Sequence, residues 1–397
     1  MLRIVDALEC NDIRNSGCHF HGESPNHRWT KLSAPRRDLS HPFFRMQLSR
    51  AKKARPKGCE SFTPTNPRRT LRIPNSLIND KDIVNFHFLG GQIWDQVRLL
   101  ESIPKQCRIV ITMHDMHQVT GGCHYSNGCE KYKSRCDSCP QLPGRFGDWI
   151  CESSFKEKQQ IFMDREITLI TPSTWLEQVT QESAIGKSAN RIVKIGYPFP
   201  EMPAPIPREE ARKKLNLAST KEKLILLVAE DLNNRRKGTY LLLEGLKMNR
   251  LPGCRILLLG KEIEIDDPRV QQLGYIADPV RLRSAYAAAD LLCLPSIEEN
   301  LAQTGMESLA EGTPVVCFAG TGPADYVIQN ETGLQADRKD PDELAETILR
   351  ALNQESLSNQ DSVIKAYSTL YSTFYSKTKV KDLYRNLYTS ILEKSER

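Results

Sequence analysis

The chain of 397 residues has no apolar run near the ~18 residues that a membrane-spanning helix needs. Its first residues, MLRIVDALECND, show no long apolar stretch behind a charged start, so no signal peptide is expected and the reading is a cytoplasmic protein. Histidine is absent after His124, so any imidazole chemistry must come from the first third. Glycine is sparse behind the expected first strand Leu2–Leu8, with only Gly17 and Gly22 between Glu9 and Gly22. Acid is scarce from Arg28 to Arg72, where Asp38 and Glu60 face thirteen Lys and Arg. This proline-rich segment, within residues 23–75, reads as largely irregular. It can be solvated surface or a peripheral contact with anionic lipid at a membrane's inner face. Repeats and low-complexity tracts are missing.

What is present is an ordinary globular composition, 39% hydrophobic and 26% charged, with room for two to three domains. The chain is organised around PSIEENLAQTGMESLAEGTPVV, residues 295–316. Leu291–Leu294 reads as a buried strand, Thr304–Glu311 as a short helix stopped by Gly312, and Pro314–Phe318 as the next strand. That order is a βαβ unit of a parallel sheet. Ligands of such sheets bind beyond the carboxyl ends of the strands, where a helix N-terminus offers N–H groups to an anion. Glu299 and Glu307 flank that point and suit a ligand with hydroxyls on either side of a phosphate, such as a nucleotide sugar. Thr304 and Glu307 also have capping-box spacing, in which Glu307 would bond the helix N-cap and bind nothing else.

The same stretch resembles the signature of the family 4 retaining glycosyltransferases (group 1): two glutamates eight positions apart, a small-residue helix and a GTPVV strand. Ser296, Glu299, Glu307, Ala310, Gly312, Thr313, Pro314 and Val315 fall in place, and Gly322, Asp325, Val327, Thr332, Gly333 and Leu334 continue the match. Asp231–Gly238 resembles the family's diphosphate-binding loop ending in Lys-Gly, with Leu232 where an arginine is usual. Two cations such as Arg236 and Lys237 would neutralise a leaving diphosphate.

A second block, His114–Leu142, resembles a polysaccharide-synthesis subgroup that carries HDM-x-x-x-TGGCHY, a Cys-rich loop and CPQL, although His117 stands where that subgroup has Trp. His114 ends an expected strand, Arg108–Met113, and the resemblance turns it toward the donor sugar and phosphate. In the loop 117–142, Cys123, Cys129, Cys136 and Cys139 are spaced C-x5-C-x6-C-x2-C. Structural zinc, reduced thiols in a packed loop and two disulfides all remain open; zinc is favoured over each alternative taken singly.

The resemblance covers about residues 82–393 and implies an α/β GT-B fold, two facing Rossmann-like domains with parallel sheets and an interdomain cleft. The expected domains are 1–196 on the acceptor side, 197–375 for the nucleotide sugar, and a helix in 376–397 crossing back. Gly196–Pro207 reads as the hinge. The implied activity is hexosyl transfer with retention from a nucleotide diphosphate sugar to a saccharide, lipid-linked acceptor in exopolysaccharide or lipopolysaccharide synthesis. Glu299 would hold sugar hydroxyls, Glu307 the ribose, Leu301, Ala302, Gln303 and Thr304 the phosphates, and Tyr275 and Ile276 the base through backbone atoms. No metal or other cofactor is required in this scheme. Because the glycine-rich first turn of the family is lacking, a degenerate nucleotide-sugar-binding protein is a rival, as is a nucleotide-sugar epimerase of the same fold. Nucleic acid is not an expected partner, since the Cys loop lacks interleaved basic and aromatic residues.

Overall fold

The computed structural model describes residues 17–19, 29–31, 42–56, 59, 62–64, 78, 83–87, 95–217 and 221–393. The expected strand Leu2–Leu8 and the turn at Gly90–Gly91 lie outside the described residues. The chain divides into two units, Met1–Pro198 with Lys377–Arg397, and Phe199–Ser376.

In the first unit β1 (Gly17–His19) and β2 (Trp29–Lys31) form a parallel pair. The main sheet runs in sequence order through β3 (Ile83–His87), β4 (Arg108–Thr112), β5 (Ile167–Thr171) and β6 (Arg191–Lys194), all parallel. Strands such as RIVIT and ITLIT are β-branched and buried along most of their length, as a sheet covered on both faces requires. One face carries the core built from Leu100, Ile109, Phe155, Phe162, Leu169 and Leu176. The other is covered by the helix Lys377–Glu393, whose Val380, Tyr384, Leu387 and Ile391 form one stripe against Val110, Ile170 and Ile195.

Three expectations change here. The basic segment is not irregular throughout, because Pro42–Lys53 is a helix. Proline fits its first position, no proline follows before Pro56, and Ala51 is buried against Ile150 and Cys151. The sequence reads as a helix over 155–164, but the helix starts ten residues earlier, at Arg145. Its first turns close on the preceding loop at Gly147, where a Cβ would lie 1.8 Å from the Leu142 carbonyl oxygen. Ile93, Val97 and Leu100 read as one face of a helix over 93–103; the described helix is Gln96–Glu101, capped by Asp95, which accepts from the amides of Val97 and Arg98.

The second unit is a six-stranded parallel sheet of β7 (Lys223–Asp231), β8 (Cys254–Lys261), β9 (Val270–Gly274), β10 (Leu291–Leu294), β11 (Val315–Phe318) and β12 (Gly333–Ala336). Its spatial order is β12-β11-β10-β7-β8-β9. Counted within the unit this is the doubly wound order 3-2-1-4-5-6, and the chain reverses direction of travel between β7 and β10. The loops leaving those two strands therefore border one crevice. The unit's core, with Ile225, Leu227, Ile256, Leu258, Val316 and Phe318, lies beneath it. The helix Pro341–Leu352 opens as Asp-Pro predicts, with the Asp340 carboxylate accepting from the Glu343 amide at 2.9 Å.

Candidate nucleotide-sugar site

The loop after β10 and the loop after β7 meet at Glu299. Its Oε2 accepts from Lys237 Nζ at 2.6 Å, Arg236 Nη1 at 3.0 Å and Ser296 Oγ at 3.2 Å. Glu299 is only 7% exposed and Arg236 only 6%. Burial works against a carboxylate there, but Lys237 and Arg236 outweigh it and hold the Glu299 carboxyl below its usual range. The backbone is fixed as well. Arg236 Nη1 donates to the Glu298 carbonyl at 2.7 Å, and the Ile297 amide donates to the Arg236 carbonyl at 2.8 Å. Gly238, at φ 70°, passes so close to this loop that a Cβ would lie 1.8 Å from the Pro295 carbonyl oxygen. Arg236, Lys237 and the first glutamate are thus one cluster with an excess of one positive charge.

The second glutamate takes a different partner from the capping-box expectation. The helix is Gln303–Ala310, its N-cap is Ala302, and no side chain caps it. Thr304 is already inside the helix, and the Glu307 carboxylate accepts from the Tyr286 hydroxyl at 2.9 Å. Ala302 is held by its carbonyl, which accepts from Tyr326 at 2.8 Å. Gly305 makes that packing feasible, since a Cβ would meet the same tyrosine hydroxyl at 2.1 Å. Leu301 is buried, Ala302 and Thr304 are half-buried and Gln303 is exposed. Tyr275, 79% exposed, and buried Ile276 follow β9 at the same end of the sheet. Tyr286 and Ser296 were missed as partners from the sequence; only Ser296 lay in a motif that could have signalled it.

In the first unit His114 follows β4. Its Nε2 is 3.3 Å from His87 Nδ1, and its Nδ1 is 2.8 Å from the Tyr197 hydroxyl. Burial lowers the pKa of His114 to about 4 and takes His87 well below the usual range, so both rings are neutral at pH 7. Burial likewise drives down the pKa of His117, which lies 2.7 Å from the Thr63 carbonyl oxygen and stacks on His124. These depressed values predict a pH effect. Between pH 6.5 and about 4 the unfolded chain binds protons that the folded rings refuse, so stability is full above pH 6.5 and falls as pH is lowered through that window. Urea midpoints from pH 7.5 to 4 should fall, and His87→Gln with His114→Gln should flatten the curve; an unchanged slope would refute the assignment.

Cys123, Cys129, Cys136 and Cys139 line one cavity of about 20 Å³, together with Phe62 and Cys151. All five sulfurs are outside disulfides. Among the described residues, no three His, Cys, Asp or Glu side chains are grouped to hold a metal ion as they stand.

Comparison with known proteins places this geometry. Residues 207–368 match the family model "Glycosyl transferases group 1". That stretch contains the Glu299 cluster, Glu307 and all six strands of the second sheet. Residues 207–368 are similar in sequence to the group 1 glycosyl transferases. The lipopolysaccharide core biosynthesis glycosyltransferase LpsE of Rhizobium meliloti is 33% identical over 133 residues, covering 31% of this chain and 38% of that protein. The first curated relatives are matched over 20–38% of their own lengths. Among solved structures, sucrose-phosphate synthase from Thermosynechococcus elongatus superposes with a TM-score of 0.57 at 21% identity, over 79% of this chain and 74% of that one. HepE of Anabaena in complex with UDP-glucose gives 0.50 at 15% identity, over 72% and 73%. The fold is the α/β fold of GT-B glycosyltransferases, with parallel sheets. The cation loop, the two glutamates and the switch-point crevice lie together at the carboxyl end of the second unit's sheet. Among the described residues no helix is long and apolar enough to cross a membrane.

Proposed function

We propose that the protein is a retaining glycosyltransferase that moves a hexose from a nucleotide diphosphate sugar to a saccharide on a lipid carrier during polysaccharide synthesis. The observation that carries the reading is the single carboxylate, Glu299, shared by Arg236 and Lys237 at the sheet's switch point. An arriving diphosphate gives the two cations a stronger partner and frees Glu299 to accept from sugar hydroxyls. The same cations then stabilise charge as the diphosphate leaves, an electrostatic contribution that needs no reorganisation of the site. The helix Gln303–Ala310, which no side chain caps, turns its positive end toward the same crevice. Glu307, oriented by Tyr286, accepts from ribose hydroxyls, and the donor phosphate takes the acceptor proton. The resemblance of the HDM block assigns His114 to the donor sugar and phosphate, and a neutral ring suits that role. The relative named for lipopolysaccharide core synthesis supports the pathway class, and the neighbour solved with UDP-glucose supports the donor class. Peripheral contact through the basic segment would bring the enzyme to a lipid-linked acceptor.

Calorimetric titration with UDP-, GDP- and ADP-sugars tests the donor half. One donor should bind to wild type, and Glu307→Ala should weaken it by about tenfold or more, the cost of a lost charge-assisted hydrogen bond. Absence of binding by every donor would refute the reading. Nucleotide release without sugar transfer to isolated membrane lipids would favour a binding protein, and an epimerised free donor would favour an epimerase.

A further inference from the structure

Cys151 lies outside the four-cysteine spacing, on the helix Arg145–Asp164, yet it lines the same cavity as the loop cysteines. Its sulfur neighbours are Cys139, Cys123 and Cys136. Cys123, Cys136 and Cys139 pack with Cys151 in one apolar cluster alongside Ala51, Phe62, Leu142 and Ile150; Cys129 lines the cavity but is not part of that cluster. Backbone amides already point at two of the sulfurs. Gly121 N–H donates to Cys136 Sγ at 3.3 Å, and the amides of Gln141 and Leu142 lie beside the Cys139 sulfur, the Leu142 amide donating to the Cys139 carbonyl. Gly121 is required at this spot, because a Cβ there would lie 2.5 Å from the Cys151 carbonyl oxygen and 2.9 Å from the Cys136 Cβ.

A second observation comes from Lys158, two turns further along the same helix and 0% exposed. Its ammonium donates to the carbonyls of His117 at 2.6 Å and Thr120 at 3.0 Å, and it lies in the field of Cys123, Cys136, Cys151 and Asp115. A buried ammonium calls for negative charge close by; Asp115 supplies one, and thiolates at the cavity would supply more. Four thiolates around a dication carry a net charge of −2, half of which Lys158 offsets.

We propose that Cys123, Cys136, Cys139 and Cys151 form a structural site for zinc or a similar soft divalent cation, with Lys158 as its buried counter-charge. The helix thiol Cys151 replaces the loop thiol Cys129 in the ligand set. Binding exchanges four S–H protons for four metal–sulfur bonds, releasing the protons to water. Among the described residues the side chains as they stand are not grouped to hold an ion, so binding would draw the four sulfurs together. A closed four-sulfur site leaves no open position for catalysis, so its role is to fix the loop that follows His114. The inference is independent of the transferase reading.

The full chain, purified reduced and without chelator, should contain about one zinc per molecule by elemental analysis, the stoichiometry of a closed tetrahedral site. Cys151→Ser should lose it and Cys129→Ser should keep it, while Lys158→Met should weaken binding by about tenfold, as loss of an outer-shell partner does. Cobalt(II) substitution of wild type should give the intense visible absorption of tetrahedral thiolate. Alkylation mapping of the wild-type chain needs no variant to fold: chelation should expose Cys123, Cys136, Cys139 and Cys151 together and leave the Cys129 rate unchanged. Absence of both zinc and the cobalt spectrum, a Cys139–Cys151 disulfide in the reduced protein, or loss of metal from Cys129→Ser with retention in Cys151→Ser would each overturn the proposal.

Discussion

Glu299→Gln should destabilise the unit Phe199–Ser376 and, under the proposed function, stop turnover. The substitution keeps volume and an acceptor but removes the Glu299 charge from the buried Arg236 guanidinium. Removing one partner of a buried pair costs about 3–5 kcal/mol, and the lower end applies because Lys237, more exposed than Arg236, can turn toward water. Ser296→Ala is the control: it removes a single hydrogen bond to the same carboxylate and should cost about 1 kcal/mol. The pH dependence separates charge from packing. Because the folded pKa of Glu299 lies below its ordinary 4.5, its contribution is fully present above that pH and is lost as pH falls through the depressed value. The gap between wild type and Glu299→Gln in urea midpoints should therefore hold from pH 7 to about 4.5 and shrink below it. A gap that persists at pH 2 would mean that packing, not the ion pair, was removed. For ligands the signs diverge. Arg236 and Lys237 without their carboxylate should keep or gain affinity for a free nucleoside diphosphate, while transfer falls by about 10²–10³, the scale of losing a preorganised polar contact at a reacting centre.

Much of this was legible locally. The apolar strands Leu291–Leu294 and Val315–Phe318, the Asp-Pro start at Asp340 and the position of His114 at a strand end all follow from neighbours in sequence. The cation loop and the first glutamate were each visible, but their union was not, because 62 residues separate Lys237 from Glu299. The T-x-x-E spacing misled for the opposite reason. It is a local rule, and it lost to two tyrosines from elsewhere, Tyr326 holding Ala302 and Tyr286 holding Glu307. His87 could have been suspected, since it pairs with Thr112 in the register of β3 on β4, two residues before His114. Tyr197 sat in a stretch read only as a hinge, and Cys151 lay ahead of the helix read over 155–164. In each case the deciding contact is long-range, and periodicity carries no information about it.

Tyr384→Ala should be the most damaging substitution in the first unit. The side chain is 0% exposed, and its ring fills the centre of the stripe that the helix Lys377–Glu393 lays on the sheet. Truncating a buried aromatic to alanine costs about 3–5 kcal/mol from lost transfer energy and the cavity left behind. Tyr384→Phe should cost only about 1 kcal/mol, since the hydroxyl's contact with Thr112 is long at 3.4 Å. The cost is also local to the candidate chemistry. Thr112 is the last residue of β4, its hydroxyl donates to Asn85, and Asn85 donates to the hydroxyl of Tyr388 on the same helix. His114 is two residues further on. Loosening the helix should therefore speed amide exchange at Met113 and His114 before the unit unfolds globally, which hydrogen-exchange mass spectrometry on Tyr384→Ala can read. Exchange unchanged at 112–114 alongside a lowered melting temperature would show that the helix stabilises the sheet without positioning His114, and the link from the C-terminal helix to the site would have to be abandoned.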